Sequence, residues 1–267
     1  MSKDRFEFGK NWAQFLEWLD DERIENAEQS LRDWLGVETL QGKTFLDVGS
    51  GSGLFSLAAR KLGASVSSFD YDVNSVKCTR ILRKKYDDPK DPDWKVERGD
   101  ALDSGYLSKY PEQDIVYSWG VLHHTGDMYR ALGNMVPLVK DGGNLMIAIY
   151  NDQGVYTRMW KWVKKTYNSM PEAARPLLMV PVFIRMWGPP TIKDFLRLKP
   201  FATWKARKEE RGMSAMVDFY DWIGGWPFET AKPEEILDFY RKRGFTLEKL
   251  YTCGNGKGCN QFLFKKG

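Results

Sequence analysis

Alternating glycines mark the segment Gly49-Ser50-Gly51-Ser52-Gly53, which follows a short apolar run and precedes a helical pattern. Glycines let a backbone turn tightly and approach a ligand closely, and the N-terminus of the following helix offers unpaired N–H groups. The spacing is G-x-G-x-G, with Asp47 two residues before the first glycine, whereas dinucleotide-binding enzymes use G-x-G-x-x-G. The segment is therefore expected to bind a ligand, and its spacing argues against a dehydrogenase.

Two further aspartates follow predicted strands. Asp70, seventeen residues after Gly53, stands at the end of the second strand, where a carboxylate can accept both hydroxyls of a ribose. Asp72 could do the same work if the strand ended two residues later, and either one could cap the helix that begins at Val73. Asp100, after the third strand, is placed to hydrogen-bond an adenine amino group, or else is a plain loop aspartate.

The chain has two histidines, His123 and His124, and both come just after the fourth predicted strand. A histidine near neutrality suits the removal of a proton from an alcohol or phenol. The alternative is a structural role, with one member of the pair capping the turn at residues 125–127. Tyr150, which leaves the fifth strand, and the two residues after it are the next candidates for substrate contacts, although each could be a turn residue.

Strands and helices alternate around these residues, which predicts an α/β fold with a doubly wound, mostly parallel seven-stranded sheet. The carboxyl ends of parallel strands meet at one edge of such a sheet, where ligands bind. A late hairpin is expected to add an antiparallel strand at the end of the sheet. The predicted strands are residues 43–48, 65–69, 94–97, 114–118, 144–150, 246–252 and 261–265; the predicted helices between them are 54–62, 73–85, 128–139 and 234–243.

Two segments stand outside this alternation, which suggests four regions. Apolar residues at helical spacing over 11–35 predict two amphipathic helices ending at Gly36, within an N-terminal helical cap of residues 1–42. Residues 43–150 form the ligand-binding core, and 233–267 the last helix and terminal hairpin. Residues 151–232 hold most of the prolines and many tryptophans, and we expect a helical insertion that faces the substrate as a lid.

The motifs together resemble the successive motifs of class I S-adenosylmethionine-dependent methyltransferases, which have a Rossmann-like fold. The resemblance runs over roughly residues 43–150 and rests on residues 47–53, Asp70, Gly99-Asp100 and the stretch 114–124. That last stretch is most similar to the branch that contains the ubiquinone and menaquinone methylases and many small-molecule methyltransferases.

The resemblance implies S-adenosylmethionine as cofactor and in-line transfer of its methyl group to a small-molecule acceptor, through oxygen or nitrogen. His123 resembles the position used as a base in some amine and sugar methyltransferases. An N-terminal helix, here bearing Trp12, often closes over the cofactor in this family. The implied cofactor-binding residues are Trp12, Asp47, Gly49, Ser50, Gly51, Gly53, Asp70, Tyr71, Asp100, Ala101, Ser118 and Trp119; the candidate catalytic residues are His123, His124 and Tyr150.

Other functions fit less well. Aromatic residues interleaved with lysine and arginine at 156–167 and 204–211 would suit RNA or DNA. However, the turn after the fourth strand is Ser-Trp-Gly-Val instead of the Pro-Pro-Tyr type that resembles base methylases, and no cysteine follows a proline. A regulatory protein that binds the cofactor without catalysis is the third possibility.

Composition favours a cytoplasmic protein. The N-terminus lacks an apolar signal core, and three cysteines leave an odd count typical of reduced thiols. The net charge of +4 is too small to indicate a polyanionic partner. Basic residues of the insertion are matched by Glu209, Glu210, Asp218 and Asp221, so no membrane binding is predicted. No recognisable ligand spacing indicates a metal, so we expect metal-independent chemistry.

Overall fold

The structure, a computed structural model, describes residues 19–86, 93–205, 215–254, 256 and 258–267. These residues divide into two compact units: residues 154–228 form one, and the described residues before 154 and after 228 form the other. The first of the two predicted N-terminal helices, with Trp12, lies outside the described residues. The second is observed and is followed by Gly36, as predicted.

The larger unit contains a seven-stranded sheet in the order β3-β2-β1-β4-β5-β7-β6. This confirms the predicted α/β fold with seven strands. Every neighbouring pair from β3 to β5 is parallel, and β7 is antiparallel to both β5 and β6. The strands are Thr44–Val48 (β1), Ser65–Asp70 (β2), Trp94–Arg98 (β3), Gln113–Trp119 (β4), Val139–Tyr150 (β5), Phe245–Tyr251 (β6) and Cys259–Lys266 (β7).

The antiparallel strand differs in place from the expectation. The terminal hairpin does complete the sheet, but its antiparallel strand, β7, lies between β5 and β6 instead of at the edge. Phe262 and Phe264 of β7 are fully buried, and β7 pairs with β5 over seven residues. The more buried strand of the hairpin occupies the interior position, and β6, whose pairing shifts register between Leu247 and Lys249, forms the edge.

Helices cover both faces of the sheet and form the second unit. The predicted helix 128–139 is too long: it ends at Met135, a 3₁₀ turn with Pro137 follows, and Val139 already pairs with Gln113 of β4. The helices are Asp21–Leu35 (α1), Leu54–Lys61 (α2), Val73–Tyr86 (α3), Ser104–Leu107 (α4), Met128–Met135 (α5), Val155–Ser169 (α6), Arg175–Leu196 (α7), Ala215–Gly224 (α8) and Pro233–Arg241 (α9).

Alternating strand residues bury two separate apolar layers. Phe45 of β1 faces the layer that includes Ile24 of α1 and Leu57 of α2. Leu46, the next residue, faces the layer that includes Leu132 of α5 and Tyr240 of α9. Because successive strand residues point to opposite faces, the sheet is held from both sides and its carboxyl edge is fixed.

A chain of buried polar side chains crosses the α2 face of the sheet beneath the glycine segment. The indole Nε1–H of Trp94 donates to Ser68 Oγ at 2.9 Å, and the two serine hydroxyls of Ser68 and Ser56 lie 2.7 Å apart. Ser56 then donates to Asp47 Oδ2 at 2.5 Å. Since each hydroxyl has one proton, the chain runs in one direction, from the indole to the carboxyl group.

Burial raises the pKa of Asp47 to about 7, although the Ser56 hydroxyl lowers it, and the nearby carboxyl group of Asp70 raises it further. The folded protein therefore holds the carboxyl proton of Asp47 more tightly than the unfolded chain does, where the pKa of the same group is near 3.8. Stability from this group is complete below the unfolded pKa and is lost as the pH rises through about 7.

We expect the free energy of unfolding, measured by urea denaturation, to fall between about pH 5 and about pH 8, and to fall less in Asp47→Asn. Asparagine mimics the neutral acid and can still accept from Ser56. Asp114→Asn is the matched control, because hydrogen bonds from Thr44 lower the pKa of Asp114 and its carboxylate stays ionised over this range. If the free energy of unfolding of Asp47→Asn depended on pH as steeply as that of the wild type, the raised pKa assigned to Asp47 would be contradicted.

Aromatic side chains form the interior of the second unit, residues 154–228. Trp187 and Phe219 are buried, and Phe183 contacts both rings, at centroid distances of 6.5 and 5.1 Å. The Lys164 ammonium is buried over the rings of Trp222 and Phe228, 4.4 and 4.9 Å from their centroids. The helix predicted around Trp160, Trp162 and Tyr167 is α6.

Candidate active site

The glycine segment connects β1 to α2 at the carboxyl edge of the sheet. The N–H groups of Gly49 and Ser50 both donate to the carbonyl of Phe69, at 2.8 and 3.1 Å, which ties the segment to the end of β2. Gly49 has a φ of +83°, and a Cβ there would lie 2.4 Å from a methyl group of Val121. Only glycine fits, because a side chain would be both strained and overlapped.

Asp70 holds the middle of that segment. Its Oδ2 accepts the N–H of Gly51 at 2.9 Å, and its Oδ1 accepts the N–H of Asp72 at 2.8 Å. Burial raises the pKa of Asp70 to about 6, although these backbone N–H groups lower it. A carboxylate has about four acceptor sites, so each oxygen can still accept one hydroxyl proton.

Asp72 does different work. Its Oδ1 accepts the N–H of Asn74 at 2.8 Å, at the start of α3. This is the capping arrangement that the sequence left open for either aspartate. The two oxygens of Asp70 instead face the glycine segment and the turn after β2. This geometry favours Asp70 over Asp72 as the residue that contacts a molecule bound at the glycine segment.

The third carboxylate, Asp100, lies next to this edge. The N–H of Gly99 donates to the backbone carbonyl of Asp70 at 3.0 Å, so the loop after β3 adjoins the end of β2. The Asp100 side chain accepts the N–H of Leu102 at 2.9 Å. Ala101 is buried, and the Asn134 side chain donates to its carbonyl. The loop is thus fixed from both the sheet and α5.

The remaining predicted residues divide between the edge and the layers beside it. Ser118 is buried and donates to the carbonyl of Val48 at 2.9 Å, which joins the ends of β4 and β1. The ring of Trp119 stacks on Tyr117, with centroids 5.6 Å apart, so it belongs to the aromatic layer on the α1 face. Arg98 donates to the carbonyl of Tyr71. The carboxyl group of Asp47, by contrast, is directed into the core toward Ser56.

Two other members of the glycine segment make structural contacts. The Ser50 and Thr79 hydroxyls lie 2.9 Å apart, which connects the segment to α3. A Cβ on Gly53, which precedes α2, would lie 2.9 Å from the Thr79 methyl group. The close approach of α3 therefore explains the last glycine of the motif.

The two histidines and Tyr150 form an aromatic cluster after β4 and β5. The ring of His123 lies 3.9 Å from that of Tyr150 and 4.5 Å from that of His124, between centroids. His123 is fully buried and its Nδ1 accepts the backbone N–H of Tyr150 at 3.3 Å. A neutral His123 consequently carries its proton on Nε2. His124 is half-buried and meets the Tyr150 ring edge-on at 5.4 Å.

Glu229 is the neighbour of this cluster that the sequence did not indicate. Its N–H donates to the His123 carbonyl at 3.0 Å, and its carboxylate accepts the N–H of Met128 at the start of α5. Residues 229–232 were assigned to the insertion but belong to the larger unit. Glu229 is 106 residues from His123 in the sequence, so no local sequence pattern could predict the contact between them.

Similar contacts hold the segment after β5. The Thr230 hydroxyl donates to Asp152 at 2.9 Å, and the Asn260 amide donates to the side-chain oxygen of Asn151 at 3.0 Å. Asn151 and Asp152, the candidate substrate contacts after Tyr150, thus have structural partners. Among the residues that the structure describes, no group of three His, Cys, Asp or Glu side chains could hold a metal ion.

Comparisons with known proteins indicate the family of this chain. A family model described as a methyltransferase domain matches residues 20–191. A ubiquinone biosynthesis O-methyltransferase of Paramagnetospirillum magneticum is 31% identical over 120 residues, which cover 45% of this chain and 45% of that protein. A ribosomal protein L11 methyltransferase of Helicobacter hepaticus is 37% identical over 84 residues, covering 27% and 26%. The chain spans less than half the length of both relatives.

Solved structures show the same fold. Magnesium protoporphyrin IX methyltransferase from Synechocystis PCC 6803, solved with bound SAH, superimposes with a TM-score of 0.53 at 13% identity, over 91% of this chain and 83% of that one. The family match extends over more than half of the chain, which therefore belongs to the methyltransferase domain family. This confirms the family predicted from the motifs, together with its cofactor, S-adenosylmethionine.

We expect Asp70→Ala to weaken binding of S-adenosylhomocysteine at least about tenfold in isothermal calorimetry, because ribose hydroxyls would lose a charged acceptor. Asp72→Ala is the matched control, since it removes a carboxylate two residues away that caps α3. Its affinity should stay within about twofold of the wild type. Equal losses in the two variants, or none in Asp70→Ala, would contradict the role of Asp70.

Proposed function

We propose that this protein transfers a methyl group from S-adenosylmethionine to an oxygen or nitrogen atom of a small-molecule acceptor. The main support is the meeting of the glycine segment, Asp70 and the chain's two histidines at the carboxyl ends of the adjacent strands β2, β1 and β4. A cofactor and a proton acceptor are thereby brought to one edge, as methylation of a protonated nucleophile requires.

The residues at this edge fit the cofactor. Asp70 retains acceptor sites for ribose hydroxyls, and Asp100 lies on the adjoining loop, where an adenine amino group can donate to it. We assign Gly49, Gly51, Tyr71, Ala101 and the turn at Ser118–Trp119 to its borders. Three other side chains support the glycine segment from the protein interior and do not need to touch the ligand: Asp47, Ser50 and Thr79.

When bound, S-adenosylmethionine supplies an electrophilic methyl group on a sulfonium sulfur. The protein must align the acceptor with that methyl group and exclude water. Such alignment lowers the activation free energy by on the order of 7–11 kcal/mol. His124 is our candidate for the base that removes the acceptor's proton. His123 holds Tyr150 through the backbone N–H, and the Tyr150 ring packs against both imidazoles.

The acceptor class is inferred from the chain itself, since the names of the two relatives differ in what they methylate. The tryptophans of α7 and its following turn, Trp187 and Trp204, pack against each other at 4.8 Å instead of presenting their faces to bases. This supports a small acceptor over a nucleic acid.

RNA is the second candidate, for one specific reason. Tyr156 and Trp162 of α6 are both 62% exposed, and Lys161 and Lys165 are exposed beside them. Exposed aromatic rings among cations suit single-stranded nucleic acid. Release of S-adenosylhomocysteine with pooled phenols, catechols and amines, compared with total RNA, distinguishes the two; release with RNA alone would overturn the small-acceptor proposal.

With an acceptor that turns over, His124→Ala should lower kcat by about a hundredfold and leave the affinity for S-adenosylhomocysteine unchanged, because a general base acts only on the acceptor. His123→Ala should differ from His124→Ala in that it also lowers the melting temperature, since it removes the side chain that accepts the N–H of Tyr150. His123→Asn should lower the melting temperature less than His123→Ala does, because the asparagine side chain still offers a hydrogen-bond acceptor. Wild-type turnover in His124→Ala would rule out that residue as the base.

A further inference from the structure

Helix α7 has an exposed apolar face in addition to its packed one. The spacings between its members are three, four, eight and three residues, so all of them lie on the same side of the helix. Five side chains form this part of the face: Leu177 (77% exposed), Val180 (56%), Ile184 (61%), Ile192 (63%) and Phe195 (53%).

The face continues to the last residue of the helix, Leu196, and past it. Leu196, Leu198 and Phe201 are 80%, 90% and 47% exposed. We call these eight residues, from Leu177 to Phe201, the apolar ridge. Contiguous exposed apolar surface of this kind is uncommon on a protein that has no partner for it.

The turn at the end of the ridge is firmly built. Leu198 and Phe201 have positive φ angles of 56° and 61°, which side chains other than glycine rarely adopt. The buried carboxylate of Asp194 holds this turn, because it accepts both the N–H and the hydroxyl of Thr203, at 2.7 and 2.8 Å. The exposure of Leu198 is therefore a property of a fixed conformation.

Cations flank several residues of the ridge in the sequence. Arg185, Lys193, Arg197, Lys199 and Lys205 are all exposed. Residues 172–205 hold six basic and two acidic side chains. Glu172 pairs with Arg175 at 3.9 Å and Asp194 is buried, so the five exposed cations outnumber the acids of this segment. The acids that balanced the insertion in the sequence lie at 209–221, beyond the ridge.

An adjacent side of α7 is already packed, since Trp187 contacts the rings of Phe183 and Trp204. The helix is thus apolar on two sides, one packed and one exposed. None of the helices in the described part of the chain is long and apolar enough to cross a membrane. What fits a bilayer interface is therefore the exposed apolar face together with the cations of the same segment.

We propose that the apolar ridge binds the surface of a bilayer containing anionic phospholipids, with its aliphatic side chains among the acyl chains and the bordering cations at the phosphates. This proposal differs from the sequence-based expectation of no membrane binding, which depended on nearby acids matching the basic residues of the insertion and could not include exposure. A second copy is the poorer partner, because the cationic borders of two identical faces would repel each other.

Vesicle flotation tests this directly, with phosphatidylcholine vesicles and with vesicles that also contain phosphatidylglycerol in equal parts. The wild type should float with the anionic vesicles and much less with the neutral ones, and binding should weaken with salt. The triple variant Leu177→Gln, Ile184→Gln, Ile192→Gln should lower the bound-to-free ratio by at least about tenfold. Ile81→Gln, at a 57% exposed position on α3, is the matched control and should bind like the wild type.

A second variant separates charge from apolar contact. Arg197→Ala with Lys199→Ala should lower binding to anionic vesicles and leave the small binding to neutral vesicles unchanged. Absence of wild-type flotation, or flotation that the triple variant retains, would overturn the proposal. So would concentration-dependent self-association in light scattering that the triple variant abolishes without any vesicle binding. None of these outcomes depends on the methyl acceptor.

Discussion

The hydrogen bond from the Gly51 N–H to the Asp70 carboxylate is the interaction on which the rest of the site depends. It joins the turn after β1 to the end of β2, and the carbonyl of the same aspartate accepts from Gly99, so three strand ends are held by one residue. The glycines of the segment answer other close approaches at this edge, since a side chain on Gly49 would overlap Val121, which follows β4. A carboxylate in this place orders the segment and still has acceptor sites for a ligand.

The charge of Asp70 opposes the ionisation of Asp47, its neighbour in the adjacent strand. Burial raises the pKa of Asp47 to about 7 and that of Asp70 to about 6, and each carboxyl group lies near another acid. The hydroxyl chain from Trp94 through Ser56 stabilises the deeper group, whereas hydroxyls of a bound ribose would stabilise the shallower one. The fold thus supports one acid internally and leaves the other to its ligand, which links stability, cofactor affinity and pH.

Local patterns predicted much of this protein because they arise from local physics. Periodicity located the strands and most helices, and the glycine spacing with Asp47 and Asp70 helped to indicate the methyltransferase family. Contacts between distant segments could not be predicted in this way. Glu229 lies beside His123 because the chain returns after the insertion, and β7 takes the inner position because its phenylalanines bury better than β6. The hydrogen bond that directs the proton of His123 to Nε2, and the exposure of Leu198, likewise depend on tertiary structure.

Calorimetric titration of the protein with S-adenosylmethionine, S-adenosylhomocysteine and NAD, in parallel, tests the central claim most directly because it needs no acceptor. The account predicts micromolar binding of both adenosyl ligands, with dissociation constants on the order of 1–100 μM, and no heat from NAD. Binding should weaken as the pH falls through about 6, where Asp70 gains a proton. Binding of NAD, or no binding of either adenosyl ligand, would contradict the assignment of the glycine segment and Asp70 to this cofactor.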